Sequence, residues 1–163
     1  MIRSFLGVWP AALALWRYVM AAAIALALAV SLNSTLHPAA TAQGIVPPSQ
    51  IAAQVYAQLP NLPLENTYER RDSRDIATDS TLMSRFIRYH LFVQRRSPVY
   101  RLDWKLTLAD YLGVNEWVTA PEYPGADILE TSPRNGDMNA VRSLTLAQRQ
   151  ALVEVLVGIY RPG

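Results

Sequence analysis

The stretch "RFIRYHLFVQRRSPVYRLDWKL", residues 85–106 of a 163-residue chain, gathers side chains able to do two kinds of chemistry. Arg85, Arg88, Arg95, Arg96 and Arg101 lie among Phe86, Tyr89, Phe92, Tyr100 and Trp104, and His90 stands between them. An imidazole titrates near neutral pH, so it can act as a general base when a carboxylate orients it and a pocket admits substrate. A guanidinium grips carboxylates and phosphates through paired, planar hydrogen bonds. Arginine interleaved with large aromatics is also the composition enriched at protein-binding hot spots.

At about 100° per residue, Leu82, Met83, Phe86, Ile87, Leu91 and Val93 fill one broad arc of a helical wheel, with Tyr89 at its edge. Ser84, Arg85, Arg88, Arg95 and Arg96 fill the opposite arc, and Phe92 falls among them. His90 falls inside the apolar arc. That position predicts a neutral core histidine satisfied by a carbonyl or a carboxylate, since buried polar groups need partners. The sharper alternative is a small hydrolase or isomerase with His90 as its base. Ser97, Asp103 and Asp110 are available companions, but no spacing ties them to it.

The arginine arc has three readings. It can be a solvated face pairing with the charged segment 65–79. It can be a docking surface for a protein partner, with Arg85, Arg88, Phe92, Arg95, Arg96 and Trp104 as contacts. It can be a site for an anionic small molecule or a lipid headgroup.

The elements that must position these residues are mostly helical. "PSQIAAQVYAQLP" opens on Pro48 and Ser49, repeats apolar residues at Ile51, Val55 and Leu59, and stops at Pro60, which lacks the amide a helix needs. A second helix is expected from a cap at Asp79 or Ser80 to about Gln94, ahead of Ser97–Pro98. "VYRLDWKL" alternates polar and apolar residues, the two-residue period of a strand or extended segment. Thr107 is expected to cap a short helix ending at Gly113. Residues 119–143 read as a long irregular connection, with Pro124–Gly125 and Asn135–Gly136 as turns. Thr145 and Gln148 form a capping box for a last helix. That helix is apolar nearly all round, which predicts a place at the centre of the fold. Its small residues Ala147, Ala151 and Gly158 would admit another backbone.

Residues 1–42 read as an export signal: Arg3 and Arg17, an uncharged apolar run over 18–32, and small residues at Ala40 and Ala42. The run is shorter than the roughly 20 residues a bilayer core takes, which favours a cleaved signal over a retained anchor. Arg3 and Arg17 are the only charged residues in that segment. Without them the 15 Lys+Arg fall to 13, against 13 Asp+Glu, so the rest of the chain is neutral. A neutral domain argues against nucleic acid as a partner. The chain has no cysteine, which excludes disulfides, thiolate metal sites, cysteine nucleophiles and covalent c-type haem. In "LENTYERRDSRDIATDS" Arg70, Arg71 and Arg74 interleave with Asp72, Asp75 and Asp79, which is unlike a calcium loop. Neither a metal nor a cofactor is expected.

The motifs "SRFIRYH", "RRSP" and "LDWKLTLADYLG" resemble those of small exported cyanobacterial proteins of unassigned role. The resemblance covers about the middle third of the chain and implies the periplasm or the thylakoid lumen; it carries no catalytic residue. The expectation is a mainly α, small single domain over 49–163, behind a signal peptide (1–42) and a linker (43–48), with an extended central segment and a long irregular loop. Its expected role is a non-catalytic accessory or assembly factor that docks on a larger, membrane-associated protein complex.

Overall fold

The first helix, α1 (Pro48–Gln58), begins where proline costs nothing, because the first-turn amides of a helix have no intrahelical acceptor. Ile51, Ala52 and Val55 face inward while Gln54 and Gln58 stay outside, and the chain turns away at Pro60. This computed structural model describes residues 46–161, so the expected signal peptide over 1–42 lies outside the described residues. The described residues hold five α-helices and no strand, in line with a small helical domain. No helix among them is long and apolar enough to cross a membrane.

Residues 59–81 are irregular. An isolated bridge pairs Glu69 with Ile76 and another pairs Arg70 with Leu129, which ties this segment to the 120s. Thr81, rather than Asp79 or Ser80, caps α2 (Leu82–Arg88), its side chain accepting from the Ser84 amide at 3.2 Å. The helix then widens into a π-helix over Tyr89–Val93, where the Gln94 amide reaches back to the Tyr89 carbonyl.

Every residue from Leu82 to Ile87 is buried, including Ser84 and Arg85. α2 is therefore the central helix of the fold, a place the sequence suggested for the last helix. A two-sided wheel failed because the polar side of α2 is roofed as well, by Glu65, Ser80 and a helix from the C-terminal third.

The segment expected as extended is α3 (Arg101–Leu112). The alternating set Tyr100, Leu102 and Trp104 does not share one environment: Tyr100 and Leu102 are exposed and Trp104 is sealed. The buried set is Trp104, Thr107, Leu108, Asp110 and Tyr111, joined by the three- and four-residue spacings of a helix face. Thr107 is thus an interior helix residue rather than a cap. Gly113 does end the helix, at φ 77°, a left-handed conformation that glycine adopts without strain.

Part of the expected irregular connection is also helical: α4 spans Arg134–Ser143, and Asn135–Gly136 lies in its first turn instead of a loop. α5 (Leu146–Tyr160) carries the complete Thr145–Gln148 capping box. It seals only Leu152, Val153 and Leu156, and Gly158 faces open space rather than another backbone. α2, α3 and α5 enclose an aromatic core in which Phe86 lies against Trp104 and Tyr111, with Tyr111 edge-on to Tyr89.

Candidate functional site

Arg85 leaves α2 toward α4 and meets Asp137 in its first turn. Nε and Nη2 donate to the two carboxylate oxygens at 2.6 Å each. Nη2 also donates to the Glu65 carbonyl at 2.6 Å, and Nη1 to the Ser80 carbonyl and hydroxyl. All five guanidinium N–H groups are thereby engaged, with a side chain 1% exposed. The ring of Tyr68 lies 5.3 Å from its Cζ.

Asp137 accepts a third donor, the Tyr123 hydroxyl, at 2.5 Å. Because an ionised carboxylate only accepts, Tyr123 must donate to it, and Tyr111 must then donate to Tyr123 across 2.9 Å. Burial raises the Asp137 carboxyl above its usual range, against the opposing pull of Arg85. Burial also works against the charge of Arg85, but the Asp137 carboxylate outweighs it and raises the guanidinium further. The pair is ionised, since three donors converge on the carboxylate and the bidentate geometry is satisfied on both sides. Burial pushes the hydroxyls of Tyr111 and Tyr123 well above the ordinary tyrosine value, so both remain donors.

A second buried cluster forms beyond the π-helix. Arg95 sits at φ 51° and turns the chain so that Arg96 folds back over α3. Arg96 Nη1 donates to Asp110 at 2.5 Å and to Thr107 Oγ1 at 2.9 Å. Asp110, fully buried, also accepts from Tyr89, Asn115 Nδ2 and the Glu116 amide. Burial, assisted by the Asp110 charge, pushes Tyr89 up to about 12.

His90 closes this cluster from within. Its ring stacks on Trp104 at 3.5 Å, Nε2 faces the Ser97 carbonyl at 3.2 Å, and Nδ1 faces Thr107 Oγ1 at 2.8 Å. A carbonyl can only accept, so Nε2 carries the proton and Nδ1 accepts from Thr107. Arg96 donates to the same Thr107 oxygen, which completes a relay from Arg96 through Thr107 to His90. Burial lowers His90 to about 4, with the Arg96 charge acting in the same direction against the Ser97 carbonyl, so the ring is neutral at ordinary pH. The imidazole is wholly buried and both its nitrogens are occupied. Asp103 does not reach it; its carboxylate accepts from the Ser97 amide at 3.1 Å. This geometry gives a general base neither substrate access nor a carboxylate partner, and the hydrolase or isomerase reading of His90 loses its footing.

The six expected contact residues part company. Arg85 and Trp104 are sealed in the core, and Arg96 is 11% exposed and paired with Asp110, so these three are structural rather than partner-facing. Arg88, Phe92 and Arg95 are exposed. Arg88 and Phe92 border a cleft of about 490 Å³. Its other walls are Pro48 and Ser49 of α1, Asp79 and Ser80, and the turn carrying Pro121, Glu122, Pro124, Asp127 and Ile128.

Sequence reasoning missed Asp137, Tyr123 and Tyr111. A helical reading of "RNGDMNAV" would have put Asp137, Met138 and Val141 on one inward face, and that was the available signal. Among the described residues no three His, Asp or Glu side chains converge as metal ligands would. No protein-family model matches the chain, and searches of curated proteins and of solved structures return no significant match.

Proposed function

We propose that this protein is a non-catalytic exported accessory factor that docks on a larger, membrane-associated protein complex through the cleft bordered by Arg88 and Phe92. One observation carries the reading. The histidine and the aspartates best placed for proton chemistry are closed inside the fold, whereas at the mouth of an open cleft stand the half-exposed ring of Phe92 and Arg88, whose guanidinium has no hydrogen bond or ion pair among the described residues. An exposed guanidinium beside an exposed aromatic is the combination that dominates binding energy at protein interfaces. Export to the periplasm or the thylakoid lumen is part of the same proposal and rests on residues 1–42 and on the resemblance of the central motifs.

The test is affinity capture from native membranes with the tagged protein, comparing Arg88→Glu and Phe92→Ala with a Lys105→Glu control, an exposed α3 residue that does not line the cleft. Co-purification of one complex that both cleft variants lose and the control retains is the expected result. Recovery of a bare monomer, or of the same complex with all three variants, rejects the proposal.

A further inference from the structure

α4 begins without a cap. Pro133 offers the first turn no side-chain acceptor, and the amides of Arg134, Asn135 and Gly136 find none among the described residues. The first amide to be held is that of Asp137, on the Pro133 carbonyl at 2.9 Å. Asn135 is exposed, and of the five asparagines within residues 46–161 it alone precedes a glycine. The Gly136 nitrogen is therefore free of any acceptor, unhindered by a β-carbon, and one residue along from an exposed carboxamide.

Arg134 completes the arrangement. Its Nε is fixed on the Val118 carbonyl at 2.5 Å, and its Nη1 donates to Asn135 Oδ1 at 2.9 Å. That bond draws electrons from Asn135 Cγ and sets a cation where an oxyanion would form. The other asparagines lack this combination. Asn66 and Asn115 engage their side-chain nitrogens on the Thr78 carbonyl and on Asp110, Asn139 lies in the interior of α4, and Asn61 precedes Leu62. A carboxamide placed like Asn135 cyclises. The Gly136 nitrogen bonds to Asn135 Cγ, the Cγ–Nδ2 bond breaks, and the amide proton leaves with Nδ2 as ammonia. Water then opens the five-membered ring. Attack at Cγ leaves aspartate. Attack at the backbone carbonyl of residue 135 leaves isoaspartate, whose main chain runs through Cβ and Cγ and is one carbon longer. Closure requires Asn135 to leave its helical ψ, and the backbone hydrogen bond that spans this turn, from Asp137 to Pro133, is what must open.

We propose that Asn135 is a site of spontaneous modification in the folded protein, and that its isoaspartate form loosens the hold of Asp137 on Arg85. The added carbon enters two residues before Asp137, whose carboxylate oxygens both lie 2.6 Å from that guanidinium. Ordinary aspartate at 135 has the opposite character, since it puts a carboxylate in the first turn of α4, where the helix dipole favours it. Neither Arg88 nor Phe92 takes part in this chemistry, so the inference stands independently of the docking role.

The test incubates the full chain in heavy-oxygen water at mildly alkaline pH, folded or in urea, followed by digestion under mildly acidic conditions and peptide mapping by mass spectrometry. Ring opening places a heavy oxygen at residue 135 and yields isoaspartate together with aspartate. In the folded protein this is expected to run about ten-fold slower than in urea, the population cost of opening one hydrogen bond. It is also expected to run ahead of every other asparagine within residues 46–161. Arg134→Gln slows the reaction of the folded chain several-fold and leaves the rate in urea the same. The separated isoaspartate form unfolds at a lower urea concentration than the Asn135→Asp variant, which matches the parent protein. The proposal fails if residue 135 takes up heavy oxygen only in urea, or if aspartate forms there without isoaspartate. It fails equally if Arg134→Gln leaves the folded rate unchanged or raises it, or if the isoaspartate form is as stable as Asn135→Asp.

Discussion

Arg85 and Asp137, 52 residues apart in the chain, meet through two 2.6 Å hydrogen bonds in a place where neither side chain touches solvent. Two charges taken out of water at such cost must hold each other, and what each holds in addition defines the architecture. Arg85 binds the backbone at Glu65 and Ser80, and Asp137 binds Tyr123. One ion pair thereby fastens four segments onto the central helix.

Removing one partner strands the other. Asp137→Ala is expected to destabilise the fold by about 3–5 kcal/mol, the usual cost of an uncompensated buried charge. The exposed pair Arg70–Asp79 provides the contrast: Arg70→Ala should cost less than about 1 kcal/mol. The paired replacement Arg85→Met with Asp137→Leu should recover much of the first loss. Urea denaturation of the three variants measures all of this, and equal midpoints for Asp137→Ala and Arg70→Ala would contradict it.

His90 predicts how stability depends on pH. Its folded value of about 4 lies below the ordinary histidine value near 6.5, so the unfolded chain binds the extra proton between those limits. The stabilisation is complete above pH about 6.5 and falls away as the pH drops to about 4, by about 3 kcal/mol. A His90→Gln variant should lose stability at neutral pH and show a shallower slope across that window. Denaturation midpoints at a series of pH values check the sign, and a resonance assigned to the His90 imidazole that titrates near 6.5 in the folded protein would refute it.

The tyrosine chain responds at the other end of the scale. Burial holds Tyr111 and Tyr123 well above the ordinary value near 10 and Tyr160 at about 12. The neutral hydroxyl is favoured in the fold, so this contribution is whole below pH about 10 and disappears as the pH rises past it. Ultraviolet titration should show these tyrosines ionising together with unfolding, at a pH that falls in urea. Smooth ionisation of every tyrosine with the native far-ultraviolet spectrum intact is the contrary outcome.

Gly136 offers a test of packing. Replacing an interior helix glycine by alanine normally adds up to about 1 kcal/mol of stability. Here a β-carbon would collide with the Tyr68 hydroxyl, so Gly136→Ala should destabilise. With Tyr68→Phe in place the next atom of that ring stands 3.6 Å away and Glu65 Oε2 stands 3.1 Å away at the end of a side chain that can give by a few tenths of an ångström, so the same substitution should become neutral or favourable. Thermal melts of the four proteins in that cycle show whether the sign reverses.

What the sequence makes legible is local. Pro48 and Pro60 bound α1, Gly113 ends α3, and Thr145 with Gln148 starts α5, because each of these signals acts within one turn of itself. The strand pattern of "VYRLDWKL" misled because alternation over a few residues also arises where a helix buries only Trp104 of the alternating set. Arg85 was misplaced for a longer-range reason. A wheel records which side of a helix is polar, and whether that side is roofed depends on Glu65, Ser80 and Asp137. The candidate site divided accordingly. Arg88, Phe92 and Arg95 lie outside as drawn, and Arg85, Arg96 and Trp104 lie inside because of partners no nearby residue announces.

The saturation of Arg85 also bears on when this chain can fold as it is made. Until residue 137 has been synthesised, the central helix carries a guanidinium with no counterion, and burying it is prohibitive. The nascent polypeptide therefore cannot close its core around α2 in the native arrangement until α4 has been made.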